Sequence, residues 1–252
     1  MIPLQFGRAA RPLYGVYHPA AGPGRATRGI VLCNPLGQEA VRANRPYRVL
    51  AEQLARQRWH VLRFDYSSTG DSAGVDADAR IADWLDDIGA AIDELEAIAA
   101  LRSVHLLGLR LGAALAARVA SARPDVDGLV FWDPVASGRR HLEALLPTWR
   151  PEHAGDIAGE AHGFVISSAL ARDVAELSLS PAKPGTPVLL VATRQAGDQA
   201  ELRDTLERES ARVTYHAVEG SLPWTRDNDF GAGPLPVAAL KTITDWRGEA
   251  SR

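Results

Sequence analysis

An arginine stands between two glycines where a short apolar run gives way to an alanine-rich segment, in the order Gly108-Leu109-Arg110-Leu111-Gly112. Glycines two residues before and two residues after a central residue let a strand and the following helix approach closely. The central side chain is then forced above the sheet in a strained backbone conformation, the place of an attacking serine in many enzymes. Arginine keeps its proton and has no nucleophilic lone pair, so a covalent acyl-enzyme at residue 110 is excluded.

Two roles are open to an arginine that points from this turn into a pocket. As an anion clamp, Arg110 would bind a carboxylate, phosphate or sulfate of a ligand, helped by neighbouring backbone N–H groups. As an internal salt bridge, it would pair with a carboxylate of the protein, because an unpaired charge in a partly buried place is costly. Asp133 and Asp198 each follow a short apolar run and are the candidate partners.

Cys33, the single cysteine of the chain, ends another apolar run. One cysteine excludes an internal disulfide framework and a zinc site built on several thiolates. A displaced thiol nucleophile stays an alternative, although the sequence places no histidine beside Cys33 to raise its thiolate fraction, and most free cysteines are buried small hydrophobic residues. The seven histidines show no metal-binding spacing. We therefore expect neither a metal nor another cofactor.

The elements that must position these residues follow from the hydrophobic pattern. Short runs rich in β-branched residues alternate with amphipathic segments, which predicts an α/β fold with a mostly parallel sheet. The predicted strands cover residues 29–33, 59–64, 103–107, 128–132, 187–191 and 212–217, preceded by a hairpin. The predicted helices cover residues 47–57, 81–99, 111–121, 198–210 and 235–246. We expect residues 1–252 to form one domain.

Residues 138–180 interrupt this alternation, with weaker periodicity and more proline, glycine and histidine. We predict that they form a small lid over the carboxyl ends of the strands, where open α/β sheets bind ligands. His141, His153 and His162 fall in this segment and could reach a pocket from above.

Composition limits the classes of partner. The net charge is −3, with acidic and basic residues interspersed, so the chain shows no electrostatic footprint for nucleic acid. No apolar run approaches the ~20 residues that span a bilayer, and the first residues lack the pattern of a signal peptide. We expect a cytoplasmic protein with a small-molecule partner and no membrane insertion, and the sequence leaves a homo-oligomer open.

Four segments carry a resemblance to a known family: residues 32–39, residues 63–72, the glycine-flanked turn and residues 132–135. With these segments the chain resembles the α/β-hydrolase superfamily, in particular its serine-aminopeptidase-like branch and divergent members such as the exosortase-associated hydrolases. Some of these share Gly-Leu-Arg-Leu-Gly. The resemblance covers most of the chain and implies the α/β-hydrolase fold, with helices on both faces of a mostly parallel central sheet and a small lid insertion.

The resemblance also implies site residues. In the superfamily the loop that matches residues 33–39 supplies an oxyanion-hole N–H, which would lie near Leu36, and the turn supplies a second one from Leu111. The carboxylate of the triad would be Asp133 or Asp198. The catalytic histidine should lie within residues 219–226, which contain none. Ordinary Ser-His-Asp hydrolysis is therefore not expected.

Two tryptophans complete the expected pocket. Trp224 stands where the resemblance places the histidine, and Trp132 precedes Asp133. We predict that both either form an aromatic pocket wall or pack in the core.

These observations favour a protein that binds a small acyl, ester or carboxylate ligand. If it catalyses a reaction, we expect a lyase, isomerase or cyclisation step without an acyl-enzyme, in which Arg110 polarises an oxygen. Analogy alone suggests exopolysaccharide or specialised metabolite biosynthesis. One alternative is an active esterase or thioesterase that uses Cys33, or a water activated by Asp133, Asp198 or a lid histidine. Another is a non-catalytic interaction protein.

Overall fold

The computed structural model describes residues 1–151, 155–180, 184–193, 197–209, 212–220, 222, 224 and 234–246, without the side chains of residues 197 and 198. Its strands are, in chain order, β1 (Ile2–Arg8), β2 (Arg11–His18), β3 (Arg28–Cys33), β4 (Trp59–Phe64), β5 (Ser103–Leu109), β6 (Val126–Trp132), β7 (Ile157–Ala161), β8 (Phe164–Ser167), β9 (Pro187–Ala192) and β10 (Arg212–Ala217). Its helices are α1 (Gln38–Arg56), α2 (Ile81–Ile98), α3 (Leu111–Ala122), α4 (Gly138–Leu145), α5 (Ser168–Ala175), α6 (Gly197–Arg208) and α7 (Val237–Asp245).

The central sheet has the strand order β1-β2-β4-β3-β5-β6-β9-β10. In this order, the six strands β4, β3, β5, β6, β9 and β10 run parallel. The β1–β2 hairpin joins antiparallel at the β4 edge. The predicted strands and the preceding hairpin are confirmed. They could be recognised because the inner strands are covered on both faces and so read as continuous apolar runs.

Two apolar cores lie on the two faces of this sheet. Helices α1 and α7 cover one face, where their apolar residues pack with Trp59, Trp132 and Trp224. Helices α2, α3 and α6 cover the other face, over a larger core that also takes in the segment between β6 and β9. The α/β-hydrolase fold, with helices on both sides of a mostly parallel sheet, is therefore confirmed.

Helix α1 is longer than the sequence pattern predicted, because it begins at Gln38 rather than near Tyr47. Pro46 lies inside the helix, where a proline removes one backbone hydrogen bond. The helix continues through it because a face that includes Ala43, Tyr47 and Leu50 is buried. As a result, residues 38–46, which lay outside the predicted helix, place side chains at the carboxyl end of β3.

The described parts of the segment 138–180, residues 138–151 and 155–180, lie between β6 and β9, and we call them the cap. It contains α4, the antiparallel β7–β8 hairpin and α5, with α4 packed on α5. Arg80, just before α2, holds the cap through both carboxylate oxygens of Asp173. The weak periodicity of the sequence here reflects the shortness of these elements. That the cap acts as a lid stays a prediction.

None of the helices in the described residues combines the length and the apolar character that a membrane crossing requires.

Candidate functional site

A cavity of about 740 Å³ lies between the carboxyl ends of the central strands and the cap. Leu36 and Glu39 line it after β3, Arg110 lines it after β5, and His141 and His162 line it from the cap. Its volume is that of a pocket for a small organic ligand.

The turn that carries Arg110 has the geometry of a nucleophile elbow. Arg110 adopts φ 54° and ψ −120°, a region that L residues rarely occupy, between the end of β5 and the start of α3. A Cβ on Gly108 would lie 2.3 Å from the carbonyl oxygen of Gly112, and a Cβ on Gly112 would lie 2.3 Å from that of Cys33. Neither glycine has room for a side chain, so both are required for the strand and helix to meet here.

The guanidinium of Arg110 is held on two sides. Its Nε donates to Oε1 of Glu39 at 2.9 Å, and its Nη1 donates to the backbone carbonyl of Asp133 at 3.1 Å. The side chain is 22% exposed and lines the cavity. Within the described part of the chain, Nη2 has no hydrogen-bond partner and is not among the buried polar atoms. The arginine is therefore fixed in place and retains unused donors at the cavity.

Glu39 is the residue of this candidate site that sequence analysis missed. It lies in the first turn of α1, where the helix dipole favours a carboxylate, and its side chain is 8% exposed. Burial raises the pKa of Glu39, and the charge of Arg110 opposes that shift. The signal in the sequence was an acidic residue just after Gly37. It went unused because α1 was expected to begin later.

The two aspartates proposed as partners of Arg110 are placed differently. The carboxylate of Asp133 is buried and accepts hydrogen bonds from the backbone N–H and the hydroxyl of Thr193. Asp133 therefore meets Arg110 through its carbonyl, which corrects the expected carboxylate pair. Asp198 lies in the first turn of α6, and its side chain is outside the described residues. A catalytic role for either aspartate stays a prediction.

The geometry opposes the alternative in which Cys33 is a nucleophile. Its side chain is fully buried at the end of β3 and does not line the cavity. Burial raises the pKa of the thiol far above its ordinary value. A buried thiol with a raised pKa that does not contact the cavity is poorly placed to attack a ligand there.

The two segments that carry the predicted N–H donors meet at the elbow. Gly112, in the first turn of α3, packs directly against the carbonyls of Cys33 and Asn34, which brings the loop after β3 to the start of this helix. Leu36 lines the cavity, and Leu111 begins α3, where the first N–H groups of a helix have no acceptor within it. Their role as anion donors stays a prediction.

The two tryptophans have different surroundings. Trp132 is fully buried and packs edge to face on Trp224 at 5.1 Å between ring centroids. Trp224 is also buried but lines the cavity, whereas Trp132 does not line it. Of the two alternatives, Trp132 is thus a core residue and not a pocket wall, because β6 directs it toward the face covered by α1 and α7.

Two of the three cap histidines line the cavity, and His153 lies outside the described residues. The Nε2 atom of His141, on α4, lies 3.8 Å from Oε2 of Glu39. Burial and the nearby charge of Arg110 lower the pKa of His141 to about 3, so its ring is neutral at neutral pH. His162 adopts φ 52° in the β7–β8 turn.

The family model described as serine aminopeptidase, S33, matches residues 23–179, more than half of the chain. A search of curated proteins finds no match. Among solved structures, the chain is similar to Est1E from Butyrivibrio proteoclasticus with ferulic acid bound, at a TM-score of 0.75 and 17% identity over 96% of this chain and 95% of that chain.

The chain is also similar to DcsB in complex with its substrate analogue, at a TM-score of 0.67 and 15% identity over 97% of both chains. An alpha-beta serine hydrolase homologue from Coxiella burnetii has a TM-score of 0.60 and 15% identity over 97% of this chain and 94% of that chain. At such identities these structures support the fold alone.

Proposed function

Because the chain belongs to the serine aminopeptidase (S33) family of α/β hydrolases but carries arginine at its elbow, we propose that it binds a small acyl, ester or carboxylate ligand without covalent catalysis. The ligand occupies the cavity beneath the cap, with a carboxylate or carbonyl oxygen on Arg110. Any reaction that follows proceeds without an acyl-enzyme at residue 110.

The observation that carries this proposal is the way Arg110 is held. Glu39 accepts a hydrogen bond from its Nε, and the backbone carbonyl of Asp133 accepts one from its Nη1. The Nη2 group is left without a partner in the described residues. A guanidinium already fixed by the protein loses little side-chain freedom when it binds a ligand oxygen. The two roles considered from the sequence are thus combined, since an internal pair with Glu39 orients the clamp.

The walls of the cavity support an organic ligand with an apolar part. Leu36, Phe164, Ile166 and Trp224 line it together with the charged groups. Est1E, which shares the fold, binds ferulic acid, an aromatic carboxylic acid. Aromatic carboxylates are therefore suitable first probes for this cavity.

The same geometry favours stabilisation of charge over nucleophilic attack. A fixed cation beside the first turn of α3 would stabilise negative charge that develops on a carbonyl oxygen. The carboxylate of Asp133 is bound by Thr193, which disfavours its use as a base for water. By analogy alone, we assign the protein to exopolysaccharide or specialised metabolite biosynthesis, and from the sequence we expect it in the cytoplasm.

The test is calorimetric titration of ferulate into the wild-type protein, Arg110→Ala and the control Arg139→Ala, which removes an exposed arginine of the cap. We expect measurable binding that Arg110→Ala weakens by at least about tenfold and Arg139→Ala leaves unchanged. Equal affinity in all three proteins would contradict the proposal. Turnover of p-nitrophenyl acetate by the wild-type protein that survives Arg110→Ala would instead support an esterase with a displaced nucleophile or an activated water.

A further inference from the structure

Two buried polar atoms beside Arg110 have no hydrogen-bond partner in the described residues. They are Oε2 of Glu39 and Nε2 of His141, which lie 3.8 Å apart. Both side chains are more than nine-tenths buried, and both residues line the cavity. Buried polar atoms are nearly always hydrogen-bonded in native proteins, so two unpaired atoms side by side at a ligand cavity indicate a missing partner.

The chemistry of the two atoms defines that partner. Oε2 belongs to a carboxylate that pairs with Arg110 through its other oxygen, so it requires a donor. A neutral imidazole nitrogen is either a donor or an acceptor, depending on the tautomer. A hydroxyl group can donate to Oε2 and also bond to Nε2 as either donor or acceptor. A second anion would be repelled by Glu39, and an ammonium group would be repelled by Arg110.

The hydroxyl of the ligand and its anionic group must lie close together. The two oxygens of one carboxylate fix their separation, because Oε1 of Glu39 contacts Arg110 and Oε2 faces His141. A hydroxyl between Glu39 and His141 therefore lies within a few bond lengths of an oxygen held by Arg110. We propose that the preferred ligand is a hydroxycarboxylate, with its carboxylate on Arg110 and its hydroxyl between Glu39 and His141.

This inference rests on the proposed function and names the class of ligand for the same cavity. His141 belongs to α4 of the cap and Glu39 to α1. Both atoms are buried, so His141 must turn aside to admit the hydroxyl. A ligand that bears the hydroxyl then links the cap to the elbow, whereas one that lacks it leaves both atoms unpaired.

The test compares matched pairs of carboxylates that differ only in a hydroxyl group: 3-phenyllactate against 3-phenylpropionate, mandelate against phenylacetate, and 3-hydroxybutyrate against butyrate. Each is titrated calorimetrically into the wild-type protein, Arg110→Ala and His141→Leu. In at least one pair we expect the hydroxy acid to bind the wild-type protein about tenfold or more tightly than its partner. His141→Leu should reduce that preference to about twofold or less while retaining binding of the acid without the hydroxyl.

The outcomes separate the two claims. Equal wild-type affinities within every pair, with binding still dependent on Arg110, would overturn the hydroxycarboxylate inference and leave the proposed function standing. A preference for the hydroxy acid that persists unchanged in His141→Leu would also overturn the inference. If none of the six acids binds in a manner that depends on Arg110, both the inference and the proposed function are wrong.

Discussion

The Nε atom of Arg110 lies 2.9 Å from Oε1 of Glu39, and this contact joins the elbow after β5 to the first turn of α1. Both side chains are more than three-quarters buried, and Glu39 also faces His141 of the cap. At the place where an elbow can present a hydroxyl, this chain presents a guanidinium whose charge is balanced and whose direction is fixed. We therefore expect the pair to affect both the stability of the protein and its binding of a ligand.

Removing one partner of the Arg110–Glu39 pair should destabilise the protein by more than the intact pair stabilises it. Arg110→Met leaves a buried carboxylate and Glu39→Gln leaves an unbalanced guanidinium, so we expect each single variant to lower the free energy of unfolding by about 1–3 kcal/mol. The double variant should lose less than the sum, with a coupling energy of about 1–3 kcal/mol in urea denaturation. The more exposed Arg80–Asp173 pair is the control, for which Arg80→Met and Asp173→Asn should couple by less than about 1 kcal/mol. Additive losses at residues 110 and 39 would show that the contact is not formed.

Replacing an elbow glycine even by alanine should destabilise the protein. Gly112→Ala places a Cβ 2.3 Å from the carbonyl oxygen of Cys33, which cannot move without displacing β3. We expect a loss of about 2 kcal/mol or more in the free energy of unfolding. Gly89 lies within α2, and apart from the backbone of that helix a Cβ there would meet no heavy atom of the described residues within 4 Å. Gly89→Ala should stabilise the protein by up to about 1 kcal/mol. Equal effects of the two substitutions would contradict the packing of the elbow.

Acid should destabilise the protein in part through His141. Its pKa is about 3 in the folded protein against an ordinary 6.5, so the unfolded chain binds a proton that the folded chain does not between these values. The free energy of unfolding should therefore fall as the pH drops from about 6.5 toward 3. The raised pKa of Glu39 acts in the opposite sense, because it favours the folded state at low pH.

Comparison with His141→Leu isolates this contribution, since His18, whose pKa is also lowered, is present in both proteins. The variant should lose less stability than the wild type over the same pH range, as measured by denaturation midpoints. Parallel pH profiles for the two proteins would mean that His141 is not buried as a neutral ring.

Introducing a serine at residue 110 should not create a serine hydrolase. Arg110→Ser supplies a hydroxyl, but residues 219–226 supply no histidine to accept its proton, and Glu39 loses its partner. We expect no burst of p-nitrophenol in stopped-flow assays with p-nitrophenyl acetate, and no turnover above that of Arg110→Ala. A burst of one equivalent would reveal a base that this account does not recognise.

Sequence pattern was sufficient for the fold because buried strands and the spacing of Gly108 and Gly112 are local signals. It was insufficient for the partner of Arg110. Glu39 is followed by Pro46, a residue that usually ends a helix, which concealed the start of α1, and the contact spans 71 residues of chain. Nor could the pattern show that Asp133 would offer its carbonyl to Arg110 and its carboxylate to Thr193, because only the backbone geometry after β6 decides that.

The central claim, that Arg110 recognises a ligand's negative charge, is tested most directly with an acid and its uncharged amide. The measurement is the ratio of dissociation constants for 3-phenylpropionate and 3-phenylpropionamide in the wild-type protein and in Arg110→Ala. We expect the wild-type protein to prefer the acid by at least about tenfold, because a guanidinium bonds a carboxylate more strongly than a neutral carbonyl, and Arg110→Ala to show no preference. Wild-type protein that binds acid and amide equally, or a preference that survives Arg110→Ala, would contradict the account.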